Sequence, residues 1–220
     1  MTTPSLLAHY KFEDNSNIGL DSTGNNHTLK KNKVGGVTST VSTITTTKKQ
    51  GNSAVEFNDT DYGSLYIEKY ADPAGTGESV NGIDLAQYVD GNSSSSLSGF
   101  SISFWINVNG ISANDIHMVT QGKRNRENEL LTIQWSGSQI KFGFDLSTNV
   151  LSTPANYPRT TTNEVGQTVS IDWVHLAFTC NGSGHRKIYY NGSEVASDET
   201  DTNFISNANL DGGKYFKINA

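Results

Sequence analysis

The chain is poor in the residues that build most other architectures. Only 17% of its 220 residues are charged, against about 25% in an average globular domain. Lys and Arg number 16 and Asp and Glu 22, a net charge of −6. That balance lacks the basic stripe a nucleic-acid binder needs, so no nucleic-acid partner is expected. A single cysteine, Cys180, excludes an intrachain disulfide, and the absence of CxxC and HExxH argues against a zinc centre. No apolar run approaches the roughly 18 residues of a membrane span. Met1-Thr2-Thr3-Pro4-Ser5 lacks the basic-then-apolar plan of a signal peptide. Removal of a leader beforehand, or exit by another route such as release inside a virus particle, is therefore the expectation. No window repeats with a period of 3.6 residues; Ile83–Val89 has room for one short helical turn.

What fills the gap is small and polar. Ser, Thr, Asn and Gly together make 92 of the 220 residues, a composition of strands, turns and loops. Period-two alternation recurs at Leu6–Phe12, Ala54–Phe57, Ser64–Glu68, Phe100–Val108, Leu130–Trp135, Ile140–Asp145, Val174–Cys180, Lys187–Tyr190 and Tyr215–Ile218. Asn181-Gly182, Asn191-Gly192 and Ser136-Gly137 separate strands with residues that accept positive φ. Many short strands with Gly and Asn turns predict an antiparallel sandwich or barrel of one domain spanning 1–220. Val37–Lys49 reads as an extended strand or long loop, and Asp72–Ser98 as an insertion over one face. Alternation places Cys180 with Val174, Leu176 and Phe178 on a buried face, an inert thiol.

Six segments, in order, resemble the laminin-G-like, concanavalin A-like jelly roll. They are Leu7-Ala8-His9-Tyr10-Lys11-Phe12-Glu13-Asp14, Asp21-Ser22-Thr23-Gly24-Asn25-Asn26-His27, Gly51-Asn52-Ser53-Ala54-Val55-Glu56-Phe57, Phe100-Ser101-Ile102-Ser103-Phe104-Trp105-Ile106, Trp173-Val174-His175-Leu176-Ala177-Phe178-Thr179 and Lys187-Ile188-Tyr189-Tyr190-Asn191-Gly192. The resemblance implies an all-β, antiparallel two-sheet jelly-roll sandwich. Such domains continue past the strand that Tyr215–Ile218 resembles, so the expectation is that the protein was cut, that a longer polypeptide continues, or that another chain supplies the final strand; an unpaired sheet edge would be able to dock another protein chain. Members of the superfamily bind glycans, mediate adhesion, form virion surfaces or degrade polysaccharides, so function must be argued on residues.

Catalysis finds little support. A retaining glycosidase needs two carboxylates about 5–5.5 Å apart. The i, i+2 acidic pairs are Glu127/Glu129, Asp59/Asp61 and Glu199/Asp201, and none lies within a clear alternating strand. Tyr215-Phe216-Lys217 and Ile116-His117 faintly resemble alginate lyase motifs, but Asp115 stands where that pattern has glutamine, and Arg124 and Arg126 follow the histidine instead of preceding it. The five histidines, His9, His27, His117, His175 and His185, show no metal-ligand spacing.

Binding finds more. Rings that lie against sugar faces, with amides and guanidiniums to bond hydroxyls, are the chemistry of carbohydrate recognition. Trp105 and Tyr189 project opposite the apolar faces of their strands, and Tyr157 and Arg159 sit in the polar loop Pro154-Ala155-Asn156-Tyr157-Pro158-Arg159. Lys123, Arg124 and Arg126 form a charged turn suited to an acidic glycan. The expected ligand residues are thus Tyr157, Arg159, Arg124 and Trp105. The resemblance also implies calcium in the first turns, where Asp14 and Asp21 would be its ligands, the alternative being Asx turns. Sequons at Asn26, Asn58, Asn92, Asn181 and Asn191 are compatible with an exported protein. The expected function is non-catalytic recognition or adhesion at a cell or virion surface, with a glycan or polysaccharide as partner. The alternatives are a structural virion or fibre component that docks other chains, and polysaccharide cleavage.

Overall fold

The computed structural model describes residues 5–31, 33–34, 37–38, 41–57, 64–68, 83, 85, 99–108, 115–122, 129–145, 149–162, 164–170, 172–199 and 215–219. Among them there is no α-helix, and no helix is long and apolar enough to cross a membrane. The chain divides into two compact units, Met1–Ile83 with Lys214–Ala220, and Asp84–Gly213.

The first unit holds β1 (Lys30–Lys31), β2 (Lys33–Val34), β3 (Val37–Thr38), β4 (Val41–Ile44), β5 (Ala54–Phe57), β6 (Ser64–Glu68) and β17 (Tyr215–Asn219). β6 pairs antiparallel with β1 on one side and β17 on the other, while β2 pairs β3 and β4 pairs β5. Ile18, Leu29, Val41, Leu65, Ile67 and Phe216 are buried here. The strand expected over Leu6–Phe12 does not form as a ladder. Its only pairing among the described residues is an isolated bridge, Tyr10 to Asp21, and Phe12 has φ +57°, outside the strand region. Side chains hold this segment instead. Asn25 Nδ2 donates to the carbonyls of Leu6 and Leu7 at 3.0 and 2.9 Å, and Ser53 Oγ donates to the Phe12 carbonyl at 2.8 Å. At Gly19 the Leu29 backbone occupies the place of a Cβ, so the chain passes there only with glycine.

The second unit holds β7 (Phe100–Ile106), β8 (Asp115–Gly122), β9 (Glu129–Ser136), β10 (Gln139–Asp145), β11 (Asn149–Ser152), β12 (Thr160–Thr162), β13 (Thr168–Ser170), β14 (Val174–Cys180), β15 (Arg186–Tyr190) and β16 (Ser193–Asp198). Strands β8-β9-β10-β11 are neighbours in that order in one sheet, and β16-β15-β14-β7 form another; β12 and β13 pair separately. The two sheets face each other through aromatic rings. Phe142 of β10 meets Phe178 of β14 edge-on at 5.6 Å and Phe100 of β7 at 6.3 Å. Leu131, Ile133, Trp135, Ile140, Leu176 and Ile188 are buried, each such side chain stabilising the fold by about 1.5–3 kcal/mol. The architecture is an antiparallel β-sandwich, as the alternation predicts.

Turn chemistry fixes the hairpins. Gly137 (φ +56°) links β9 to β10. Asn191 (φ +49°) and Gly192 (φ +84°) make the two-residue turn between β15 and β16, both in the left-handed region as a type I′ turn requires. The connection at Asn181 works differently. Gly184 supplies the positive φ, and Asn181 Oδ1 accepts the N–H groups of Ser183 and His185, both at 2.9 Å.

Candidate functional site

Alternation along β7, β14 and β15 sends one set of side chains into the sandwich and the other set outward. Registers align Trp105 with His175, Ser103 with Ala177 and Ser101 with Thr179, and then Ala177 with Tyr189 and Thr179 with Lys187. Val174, Leu176, Phe178 and Cys180 are buried on the inner side. The outward face therefore carries Trp105, His175 and Tyr189 around a floor of Ser101, Ser103, Ala177 and Thr179.

Trp105 is 36% exposed, and its ring meets His175 at 5.1 Å with a 56° tilt. The position of His175 is set by the neighbouring turn. Its N–H donates to Asn191 Oδ1 at 2.9 Å, and the Asn191 N–H donates back to its carbonyl at 2.8 Å. The type I′ turn is thus tied to the strand that presents the histidine. At the other side of the face Lys187 Nζ contacts Glu194 Oε2 at 2.9 Å and Glu199 Oε1 at 4.0 Å. The hydrogen bond to Glu194 raises the lysine pKa, and the same bond lowers that of Glu194. The lysine charge is already matched.

Tyr157 belongs to a different contact. Its ring, half-buried, meets that of Tyr190 at 4.9 Å with a 50° tilt. The loop that carries it is pinned, since Trp135 Nε1 donates to the Tyr157 carbonyl and the Tyr157 N–H donates to the Ser138 carbonyl, both at 2.9 Å. Burial, and then Tyr157 alongside, push the Tyr190 hydroxyl pKa up. Tyr190 alternates with Tyr189 on β15, so the Tyr157–Tyr190 pair and the Trp105–His175 pair lie on opposite sides of the sheet. Arg159 is half-buried two residues beyond Tyr157. Arg124, with Lys123 and Arg126, lies outside the described residues, as do Glu127, Asp59, Asp61, Asp201 and nearly all of the Asp72–Ser98 insertion.

Asp14 and Asp21, the expected calcium ligands, both accept hydrogen bonds from protein donors. Asp21 is 6% exposed; its Oδ1 accepts from the N–H groups of His9 (3.1 Å) and Thr23 (3.0 Å), and its Oδ2 from the His27 N–H (3.1 Å). Thr23 Oγ1 lies 2.8 Å from both oxygens. Burial works against ionisation, but these N–H groups and the hydroxyl outweigh it and lower the Asp21 pKa. Asp14 Oδ1 likewise accepts the Ser16 N–H (2.9 Å), the Ser16 hydroxyl (2.6 Å) and the Asn17 N–H (3.3 Å), an Asx turn on the surface. A calcium ion needs oxygens turned toward it; both Asp21 oxygens and Asp14 Oδ1 face protein donors. Among the described residues no group of three His, Cys, Asp or Glu side chains is placed to hold a metal.

Sequence reasoning finds Trp105 and Tyr189 from their outward positions. It takes His175 as a structural residue because it fits the strand motif, and only the register places its ring against Trp105. It misses the Tyr190 partner of Tyr157, since nothing local links residues so far apart in sequence.

The sequence profile described as the concanavalin A-like lectin/glucanases superfamily matches residues 80–216, more than half of the chain, and the protein belongs to that superfamily. No curated protein matches significantly. Among solved structures, the chain is similar to the binding domain of botulinum neurotoxin serotype G, with 16% identity over 90% of this chain and 40% of that one, and a TM-score of 0.52. It also aligns with the binding domain of Paraclostridial Mosquitocidal Protein 1 (16% identity, 90% of this chain, 40% of that one, TM-score 0.46) and with an alginate lyase from Pseudomonas aeruginosa (10% identity, 74% of this chain, 64% of that one, TM-score 0.37). The chain thus spans about 40% of the length of the two binding domains it matches. The likeness at these identities is one of fold.

Proposed function

We propose that this protein is a non-catalytic recognition module that binds glycan at a cell or virion surface. The observation that supports it best is the outward face of β16-β15-β14-β7, where Trp105 stands 36% exposed against His175 and near a floor of small side chains. An aromatic ring held on a rigid sheet, with an imidazole and hydroxyls beside it, suits a sugar ring, which presents C–H groups on one face and hydroxyls at its edge. Membership of a lectin/glucanase superfamily is consistent with this reading. Catalysis lacks a comparable constellation among the described residues. Glu199 lies 4.0 Å from Lys187, and His117 stands opposite Gln134 in the β8–β9 register.

The test is binding of the purified chain to a broad glycan and polysaccharide panel, with Trp105→Ala alongside. Selective binding by the wild type that falls in the variant, with an unchanged melting temperature, is the expected result. A folded wild type that binds no glycan would overturn the reading and turn attention to docking of other protein chains on a sheet edge.

A further inference from the structure

We infer that the glycan taken by this face is an uncharged, extended polysaccharide laid diagonally across the sheet from Trp105 to Tyr189. This rests on the glycan reading above and names its substrate class.

The geometry follows from the register. Trp105 is opposite His175, whereas Tyr189 is opposite Ala177, two residues further along β14. Trp105 and Tyr189 are therefore two strands apart and offset by two residues. With strands about 4.8 Å apart and a rise of about 3.3 Å per residue, their Cα atoms lie roughly 12 Å from each other. That exceeds the reach of one sugar ring and requires a ligand of several units. Between the two aromatic positions the outward residues of β14 are His175 and Ala177, and Ser103 stands beside Ala177 on β7. Ala and Ser extend no more than one heavy atom past Cβ, so the chain would pass low over the strands. His175, whose main-chain N–H and carbonyl are held by Asn191, places an imidazole along the path.

The charge pattern selects the polymer. The described charges on this face are Lys187 and the carboxylates it contacts, Glu194 and Glu199. The one lysine is satisfied by protein carboxylates, and a uronate or sulfate on the ligand would meet two acids for each cation. A neutral polymer meets no such repulsion, and its binding would be governed by stacking.

Affinity electrophoresis and calorimetry would be run with soluble neutral polysaccharides, with alginate and polygalacturonate, and with neutral oligosaccharides of increasing length. The wild type would be compared with Trp105→Ala, Tyr189→Ala and the ring-retaining Trp105→Phe and Tyr189→Phe. Expected are binding to a neutral polymer that strengthens with chain length, little change when salt is raised to about 0.5 M, and a loss of about tenfold for each alanine variant. The phenylalanine variants should recover most of the affinity, and melting temperatures should show all variants folded. Preference for the acidic polymers with steep salt dependence would overturn this inference and leave glycan recognition standing. The same holds if Tyr189→Ala binds as well as wild type, or if a single sugar binds as well as the polymer. Absence of binding to every polymer and oligosaccharide by folded wild type would overturn the glycan reading together with it.

Discussion

Replacing Asp198 should destabilise the sandwich more than replacing the arginine it pairs with. Arg186 lies on the inner face of β15 with Ile188 and is only 1% exposed. Its Nη2 donates to Asp198 Oδ2 at 2.9 Å, and its Nη1 approaches the Phe142 carbonyl of the facing sheet at 3.4 Å. Asp198 retains 24% exposure. The two deletions therefore leave different remainders. Asp198→Ala leaves a guanidinium inside the sandwich without this counter-charge, a change that typically costs about 3–5 kcal/mol. Arg186→Met leaves a carboxylate that reaches water and puts an unbranched apolar chain near Phe142 and the register partner Cys180, so its cost should be about 1 kcal/mol. In the Arg186→Met background, Asp198→Ala should add under about 1 kcal/mol, a coupling of roughly 3 kcal/mol in the double-mutant cycle. Urea unfolding followed by fluorescence and circular dichroism measures this. With a slope near 2–3 kcal/mol per molar, Asp198→Ala should lower the midpoint by roughly 1–2 M. An Arg186→Met midpoint below that of Asp198→Ala, or additive effects in the double variant, would refute the argument that burial of the cation sets the asymmetry.

Three further outcomes are expected. Asp21→Asn, which puts an amide N–H₂ where the carboxylate accepts N–H groups, should cost about 2–3 kcal/mol in the same unfolding assay. The Asp21 pKa is lowered below 3.8 in the fold, so its contribution to stability is present above the ordinary aspartate range and disappears as pH falls through the folded value. The gap between wild type and Asp21→Asn should therefore narrow below about pH 4, and a constant gap down to pH 2 would show that the charge is not what the donors hold. Millimolar calcium or EDTA should leave the melting temperature unchanged, because the oxygens of Asp21 already face donors; a rise of several degrees with calcium would show a site after all. Burial pushes the Cys180 thiol up to about 12 despite the opposing charge of Arg186, so disulfide-exchange reagents at pH 8 should label it only as fast as the protein unfolds. Rapid labelling without loss of fold would contradict that burial.

The strands most legible in the sequence are those with one buried face. Val174–Cys180 shows the full alternation because it is a middle strand with the core on one side and a half-exposed face on the other. β8 gives no such signal. Ile116, Met118 and Val119 are all buried, and a bulge between His117 and Val119 shifts the phase, so period two is lost along the strand itself. Leu6–Phe12 misleads in the opposite sense: it alternates, yet Asp21, Asn25 and Ser53 hold it through side chains and a ladder never develops. Alternation records which side chains face the interior, and it does not record whether the backbone has a partner.

The same distinction governs the site. Trp105 is readable as outward from its own strand, but the face it belongs to exists only through the register of three strands, which brings His175 beside it and sets Tyr189 two residues down. Tyr157 stands out in sequence because no strand pattern demands it. Its carbonyl and N–H are nonetheless both committed to the β9–β10 hairpin, and its ring lies on Tyr190. A residue that local pattern leaves unexplained can thus take part in packing, while one that belongs to a framework motif can present its ring to solvent. Arg186 makes the point within a single tripeptide. In His185-Arg186-Lys187 the middle residue shares the phase of Ile188 and enters the core, where the distant Asp198 and the Phe142 carbonyl help make its burial tolerable. Phase within the strand, more than residue type, decides which of these side chains can meet a ligand.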